Sequence, residues 1–313
     1  MIRLLLGQKR ILVEPGQGAG AWEFFPDANF LASPYGPIVI IVHGYNNDQD
    51  EAAASYRLLR ENLREILEDN RQRLNHIWEF YWPGYLPKGA LLPSRLPTNL
   101  ASAASYSYQE SKTTGLGKSF ASYIRKIPPR DPSSRPEVIF IAHSLGCRVV
   151  METLRHLDAA PVRVLGVCLM AAAVPVFKVE PAGDLRGGAE KPEKIYILYS
   201  PSDWVLHWAF RPGQFLLHPT TFPQAVGRFG NPFHGSFSVL DNVVNTGLGH
   251  SDYYRGRPAK SSQPSRTRTT IARLFGRQTP NLLKDRYIVE WPPLPTSAAP
   301  AENRLVENAL VEN

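Results

Sequence analysis

Two hydrophobic patterns alternate along the chain between Pro37 and Ser200. Short, continuous apolar runs rich in β-branched residues are typical of strands buried on both faces of a parallel sheet. Longer segments that space their apolar residues three or four positions apart are typical of amphipathic helices. We predict strands at 38–42, 76–82, 137–143, 162–174 and 194–200, with helices at 48–69, at 100–126 and directly after Ser144. This alternation predicts an α/β fold with a mostly parallel central sheet and helices on both faces.

The chain follows these patterns less closely outside the central region. Residues 2–6 and 10–14 are weaker strand candidates, and residues 237–244 are predicted to form a last strand. Residues 83–99 are rich in Pro, Leu and Gly, residues 204–234 are rich in Trp, Phe, His and Pro, and neither segment has a clear period. We predict that these two segments form a lid or part of the wall of a substrate site.

The composition is that of a globular chain for most of its length. With 313 residues and 43% hydrophobic content, the sequence can build one large α/β domain or two modest ones. Cys147 and Cys168 both lie in apolar runs. This placement predicts buried thiols and favours a reducing, cytoplasmic location. We expect no stable membrane span, since none of the apolar runs reaches the roughly 18 residues that a span needs.

The net charge of +7 is concentrated near the C-terminus. Residues 255–286 contain nine Lys or Arg and one Asp, whereas the first 254 residues are close to neutral. Apart from a candidate short helix near 270–276, the segment has no hydrophobic period, which is typical of flexible chain. We therefore predict a domain at 1–254 and a basic, flexible extension at 255–313. Its residues 255–286 are a candidate site for an anionic partner, such as nucleic acid or anionic lipid.

The strongest candidate for chemistry is the sequence EVIFIAHSLGCRVV at 137–150. Its apolar run ends at Ser144 and resumes with helical spacing. We predict a strand, a sharp turn and a helix that lift the serine hydroxyl clear of the sheet, as in a nucleophile elbow. Ala142 and Gly146 lie two positions before and after the serine, where strand and helix must approach closely. The pattern A-x-S-x-G is therefore one mild change from the usual G-x-S-x-G.

A serine hydroxyl becomes a nucleophile near neutral pH only with a base in hydrogen-bond reach and an acid that orients this base. Asp203 and His250 each come just past a predicted strand. The order Ser144, Asp203, His250 is the one found in α/β hydrolases. Asp203 has an alternative role as a turn or N-cap residue. His234 is the main rival of His250, although it precedes the last predicted strand instead of following it.

The sequence HGYNN at 43–47 directly follows the predicted strand at 38–42. Backbone N–H groups of such a loop, together with that of the residue after the nucleophile, form the oxyanion hole of enzymes with a nucleophile elbow. Here these N–H groups would belong to Tyr45 and Leu145. Alternatively, HGYNN is an ordinary polar turn. The other residues expected to shape the site are His43, Gly44, Asn46, His143 and Gly146.

The motifs VHGYNN, AHSLGCRV, SPSDWVL and GLGHS together resemble the serine-hydrolase branch of the α/β-hydrolase superfamily. The resemblance is closest to a bacterial group with HGYNN after its third strand, and it covers residues 37–254. It implies the α/β-hydrolase fold and a triad of Ser144, Asp203 and His250, but no particular substrate. Family members often have an aspartate where this chain has AAAVPVF at 171–177. This difference leaves Asp203 as the only well-placed acid.

Our first hypothesis is a serine hydrolase that cleaves a carboxylic ester, with an acyl or lipid-like substrate, through an acyl-enzyme intermediate. One alternative is acyl transfer to an alcohol by the same residues. Another is an interaction protein that keeps the hydrolase body as a scaffold and acts through its basic segment. We expect no cofactor and no metal ion, since the histidines lack ligand spacing with cysteine or carboxylate. Aromatic residues that suggest an apolar pocket are Tyr81, Trp82, Tyr85, Trp204, Trp208 and Phe210.

Overall fold

An eight-stranded sheet forms the centre of the protein in a computed structural model. The structure describes residues 7–16, 22–26, 37–45, 47–69, 76–84, 98–129, 131–157, 161–217, 223–230, 243–254 and 266–275. The strands are β1 (Gly7–Pro15), β2 (Trp22–Pro26), β3 (Ile38–Val42), β4 (His76–Tyr81), β5 (Glu137–His143), β6 (Arg163–Met170), β7 (Ile195–Tyr199) and β8 (Val243–Asn245).

Eight α-helices accompany these strands within the described residues, together with a 3-10 turn at Val176–Lys178. The helices are α1 (Gln49–Asp69), α2 (Thr98–Ile124), α3 (Leu145–His156), α4 (Arg186–Ala189), α5 (Trp204–Trp208), α6 (Phe210–Leu217), α7 (Val226–Phe229) and α8 (Arg266–Phe275). Among the helices of this described part, none combines the length and the apolar content of a membrane-spanning segment.

The strands lie in the order β2-β1-β4-β3-β5-β6-β7-β8. All neighbouring strands are parallel except the pair of β1 and the edge strand β2. The predicted mostly parallel sheet is therefore confirmed. The antiparallel strand β2 was not predicted, because its aromatic run is short and lacks a clear alternation of apolar and polar residues.

The direction of the chain places helices on both faces of the sheet. The chain crosses the sheet in one direction from β3 to β4, through α1. It crosses in the opposite direction from β5 to β6, through α3. Because parallel crossovers are right-handed, crossovers in opposite directions put their helices on opposite faces. The helix α2 packs against α3, and α8 packs against α1, so that each face has a helical layer.

The middle of the sheet explains the continuous apolar runs of the sequence. Every side chain of β3 is buried, and so is every side chain of β5 after its first residue. Because these strands are parallel, their carboxyl ends meet at one edge of the sheet, where ligands bind in open α/β folds. The residues that follow β3, β5, β7 and β8 therefore come together at this edge.

The strand predicted at 162–174 is shorter in the structure, since β6 ends at Met170. Ala171 has a positive φ of 46° and starts a turn away from the strand direction. Gly227 of α7 packs so closely on this turn that a Cβ there would overlap the backbone of Ala171 and Ala172. The turn is buried and therefore as apolar as the strand, so hydrophobicity does not show where the strand ends.

The segment predicted at 204–234 as a lid or substrate wall contains the helices α5, α6 and α7. α6 packs against α2, and α7 packs against β7. The strand predicted at 237–244 overlaps β8 at Val243 and Val244. The described residues leave out most of the segment 83–99, the first part of that last strand, and the strand candidate at 2–6.

Part of the basic C-terminal segment packs on the body of the protein. The helix α8 begins four residues before the predicted short helix, and it contacts α1, β6 and β8. Its side chains Ile271, Leu274 and Phe275 are buried. A Cβ on Gly166 of β6 would lie 2.8 Å from Leu274 Cδ2, so this glycine makes room for the helix. The predicted flexible extension thus contains a helix that belongs to the packed surface layer.

Candidate active site

The turn between β5 and α3 holds Ser144 in a strained backbone conformation. Its φ is 52° and its ψ is −124°, in a region that residues other than glycine rarely occupy. The Ser144 N–H donates to the Met170 carbonyl at the end of β6 at 2.9 Å. The Ser144 carbonyl accepts a hydrogen bond from the Ala173 N–H at 3.1 Å. The neighbouring chain therefore holds the turn from both sides.

Gly146, in the first turn of α3, lies against the end of β3. A Cβ at this position would overlap the carbonyl oxygen of His43 and would lie 2.8 Å from that of Val42. Both obstacles are backbone atoms, which cannot rotate away as a side chain can. The glycine therefore allows α3 to approach β3, and this approach brings the loop after β3 next to Ser144.

We expect Gly146→Ala to lower the free energy of unfolding by about 1–3 kcal/mol, because α3 would have to move away from β3. Denaturant unfolding followed by circular dichroism measures this loss. Gly187, an exposed glycine of α4, is the matched control, since a Cβ there would meet nothing within 4 Å. Gly187→Ala should leave stability unchanged or raise it by up to about 1 kcal/mol. An equal loss in both variants would contradict the packing argument.

The structure brings Ser144, Asp203 and His250 together in one chain of hydrogen bonds. His250 Nδ1 lies 2.8 Å from Asp203 Oδ2, and His250 Nε2 lies 2.9 Å from Ser144 Oγ. A carboxylate can only accept, so Nδ1 carries the proton and Nε2 accepts from the serine hydroxyl. Asp203 is fully buried, while Ser144 and His250 keep 6% and 7% exposure.

Asp203 also caps the helix α5. Its Oδ1 accepts a hydrogen bond from the Leu206 N–H at 2.8 Å, while Oδ2 faces His250. The N-cap considered for this residue from the sequence is therefore present on one carboxylate oxygen, while the other oxygen faces the imidazole. The cap fixes the rotation of the carboxylate, and with it the position of the oxygen that faces the imidazole.

The loop after β3 lies directly beside the serine. A Cβ on Gly44 would lie 2.8 Å from Ser144 Cβ and 3.2 Å from His143 Nδ1. Gly84 packs on the other side of this loop, where a Cβ would lie 2.8 Å from the Gly44 carbonyl oxygen. Two glycines thus allow the loop to fit between the elbow and the end of β4.

His43 fixes the peptide group that joins Gly44 to Tyr45. The Trp82 N–H donates to His43 Nε2 at 3.3 Å, so the proton of the ring is on Nδ1. Nδ1 then donates to the Gly44 carbonyl oxygen at 2.9 Å. In a trans peptide the N–H points away from the C=O. The Tyr45 N–H is therefore directed away from the His43 ring.

The His43 ring is buried, and its surroundings keep it neutral. Burial lowers the pKa of His43 from 6.5 to about 4, although its hydrogen bonds with Gly44 and Trp82 act in the opposite direction. The ring stacks on Trp82 with 5.6 Å between centroids. The backbone N–H of His43 donates to the Tyr56 hydroxyl at 2.7 Å, and this hydroxyl donates to the Phe80 carbonyl oxygen.

His143, which precedes the serine, supports the backbone of His250. Its Nε2 donates to the His250 carbonyl oxygen at 2.7 Å. Its ring packs against Tyr254, with 4.8 Å between centroids. Burial, and then the charge that His250 carries when protonated, lower the pKa of His143 from 6.5 to about 3. A neutral His143 therefore links the turn at Ser144 to the loop that carries His250.

We expect acid to destabilise the protein through His43 and His143. Their pKa values are about 4 and about 3 in the fold, against 6.5 for an ordinary imidazole. The unfolded chain therefore binds more protons than the folded protein below about pH 6.5. The free energy of unfolding then decreases as the pH is lowered, by up to about 1.4 kcal/mol per pH unit for each ring. His143→Gln keeps a donor for the His250 carbonyl but does not titrate, so it should reduce this slope. Unfolding free energies at a series of pH values measure this slope for the parent protein and for His143→Gln. Equal slopes in the two proteins would contradict the argument.

Aromatic side chains line the loop after β3 on the side of α2 and α6. The Tyr45 hydroxyl donates to Ser105 Oγ at 2.6 Å, and its ring meets Tyr106 edge-on at 5.7 Å between centroids. Phe210 of α6 packs against Tyr106 in turn, at 5.9 Å. Of the aromatic residues predicted to form a pocket, Phe210 is therefore buried near the loop after β3, whereas Trp204 and Trp208, on the helix that follows Asp203, are exposed.

The other predicted site residues lie next to Ser144 in the chain or in the loop after β3, apart from two positions. Asn46 and the rival base His234 lie outside the residues that the structure describes. Sequence reasoning missed the supporting roles of Tyr56 and Trp82. Helical spacing marks Tyr56 only as a core residue. Trp82 ends the strand predicted at 76–82, but only the pairing of β4 with β3 places it beside His43.

The fold defines the class of the protein, which is that of the α/β hydrolases. The chain belongs to the family described as "Alpha/beta hydrolase of unknown function (DUF900)", whose model matches residues 28–209, more than half of its length. The matched region contains the loop after β3, the elbow and Asp203, and it ends before His250. The resemblance to the α/β-hydrolase superfamily is thus confirmed. No curated protein matches the sequence.

Proposed function

We propose that the protein is a serine hydrolase that cleaves a carboxylic ester with an acyl or lipid-like substrate. The observation that carries this proposal is the chain of hydrogen bonds from Ser144 Oγ through His250 to Asp203. With the ring proton on Nδ1, which faces the carboxylate, His250 Nε2 can accept the Ser144 proton, as nucleophilic attack requires. The strained turn at Ser144 adds support, since strain of this kind is common where a residue acts in chemistry.

In the first half of the reaction, Ser144 Oγ attacks the carbonyl carbon of the ester and its proton passes to His250 Nε2. Asp203 accepts the hydrogen bond of Nδ1 and stabilises the imidazolium. The bond to the alcohol oxygen then breaks, and His250 returns the proton to the departing alcohol. In the second half, His250 takes a proton from water, which attacks the acyl-enzyme. The carboxylic acid leaves, and the proton returns to Ser144.

The N–H groups of Leu145 and Tyr45 would stabilise the negative oxygen of the tetrahedral intermediate. Leu145 is the first residue of α3, so its N–H has no acceptor within the helix. The hydrogen bond from His43 to Gly44 orients the Tyr45 N–H away from the ring. One such donor typically contributes a factor of about 10²–10³ to the rate. His43 is thus a positioning residue for the second donor.

Esters of graded acyl chain length test this proposal. The aromatic side chains Tyr106 and Phe210 favour an apolar acyl group over a charged one. We expect the purified protein to hydrolyse p-nitrophenyl esters with a preference for one range of chain lengths. No turnover with any of them would contradict the proposal. Analysis of the products with added alcohol separates hydrolysis, which releases the acid, from acyl transfer, which yields a new ester.

A further inference from the structure

Three exposed aromatic rings lie close to the acid of the triad. Trp204 and Trp208 are one turn apart on α5 and share a face of this helix, with 50% and 59% of their surface exposed. Phe229, which is 44% exposed, is on α7, and α7 packs against α5. We call these three residues the aromatic patch. Exposed apolar residues that cluster in this way usually mark a surface that binds another molecule.

The charges next to the aromatic patch are cationic. Burial, and then the charges of Arg228 and Arg211, lower the pKa of His207 on α5, so both guanidinium groups lie near this helix. Neither arginine forms an ion pair with a carboxylate of the described residues. The sequence between Asp203 and Asp241 contains no acidic residue. This surface therefore combines large apolar rings with positive charge that the segment itself does not neutralise.

We propose that the aromatic patch, with Arg211 and Arg228, docks the protein on a membrane that contains anionic phospholipids. Indole rings favour the boundary between headgroups and acyl chains, because one part of the ring is apolar and its N–H is polar. Arginine side chains near the surface are attracted by anionic headgroups. The combination of both features fits a lipid surface better than an apolar protein groove, which would leave the two arginines without partners.

Membrane docking would also define the substrate class of the proposed function. In this one respect, the nature of the substrate, the inference rests on that proposed function. Asp203 is both the acid of the proposed triad and the N-cap of α5, so the aromatic patch begins at the residue after it. A membrane bound there would bring its esters close to Ser144. The substrates would then be amphiphilic esters held in a membrane, and water-soluble esters would react without docking.

The test uses the full-length protein with Ser144→Ala, so that no ester is consumed while binding is measured. We expect it to sediment with vesicles of phosphatidylcholine and phosphatidylserine in equal amounts, and more weakly with phosphatidylcholine alone. In the same background, Trp204→Ser with Trp208→Ser should weaken binding by roughly tenfold or more, since two half-exposed rings no longer enter the lipid. Trp208→Ser alone, at the more exposed ring, provides the test if the double variant does not fold.

The arginines and a matched aromatic control complete the test. Arg211→Gln and Arg228→Gln should each weaken binding to the anionic vesicles by about fivefold, and this loss should shrink at high salt. Phe25 is 47% exposed on β2, at the opposite edge of the sheet, so Phe25→Ser should bind as its parent does.

Three results would overturn the inference. Absence of vesicle binding is the first. Binding that the tryptophan variants do not change is the second, and it would assign binding to the basic segment 255–286. Dimers that the tryptophan variants disrupt, without vesicle binding, are the third and would assign the patch to a second copy. Failure of the proposed function is a separate outcome, since it would appear as patch-dependent binding by a protein that hydrolyses no ester.

Discussion

We expect Ser144→Ala to abolish ester turnover, with kcat lowered by about 10⁴–10⁶-fold. The Oγ of this serine is the only atom of the proposed site that forms a covalent bond with the substrate. An alanine leaves His250 and Asp203 in place but removes the nucleophile. Steady-state kinetics with a p-nitrophenyl ester measure the loss. Ser202→Ala is the matched control, because this exposed serine lies beside Asp203 and outside the hydrogen-bond chain, and it should keep full activity.

The backbone of Ser144 adds a second expectation for the same position. Its positive φ of 52° is unfavourable for alanine and serine alike, but not for glycine. Ser144→Gly should therefore be as inactive as Ser144→Ala and more stable than the parent by about 1 kcal/mol, because the strain at the turn is relieved. A Ser144→Gly variant that hydrolyses esters at the parent rate would exclude this serine as the nucleophile.

We expect Asp203→Asn to lower kcat by about 10⁴-fold while stability changes by less than about 1 kcal/mol. The asparagine oxygen can still accept the Leu206 N–H and cap α5. Its NH₂ group, however, would face His250 Nδ1 with a donor. The imidazole would then carry its proton on Nε2, where it could not accept the proton of Ser144.

Two further variants separate the roles of the Asp203 carboxylate. Asp203→Ala loses the cap as well, and should cost about 1 kcal/mol more in unfolding free energy than Asp203→Asn. Asp252→Asn removes a carboxylate from the loop that carries His250 without touching the chain of hydrogen bonds, so it should keep activity within a few-fold. Activity of Asp203→Asn near the parent value would contradict the assignment of the acid.

Local signals in the sequence predicted the fold well in the middle of the sheet. The continuous apolar runs of β3 and β5 reflect burial on both faces of the sheet. The polar motifs each follow a predicted strand, and the carboxyl ends of these parallel strands meet at one edge. The end of β6 could not be predicted in the same way. The turn at Ala171 is buried by α7, which comes more than fifty residues later in the chain. Hydrophobicity reports burial there, but not the direction of the backbone.

The candidate site also contains residues that local motifs predict and contacts that depend on distant parts of the chain. Ser144, Asp203 and His250 could be selected because each follows a strand and their order is restrictive. The contacts of His43 with Trp82 and Tyr56 depend on the pairing of β3 with β4 and on the packing of α1, which no single motif encodes. Positioning residues of this kind become visible only when the strands are placed next to each other.

Reaction of the protein with a fluorophosphonate, followed by mass spectrometry, tests the central claim most directly. A fluorophosphonate forms a stable adduct with a serine that is activated by a base. The account predicts a single adduct on Ser144, loss of ester turnover in proportion to labelling, and no adduct on the Ser144→Ala variant. An adduct on another residue, or full ester turnover by the fully labelled protein, would contradict it.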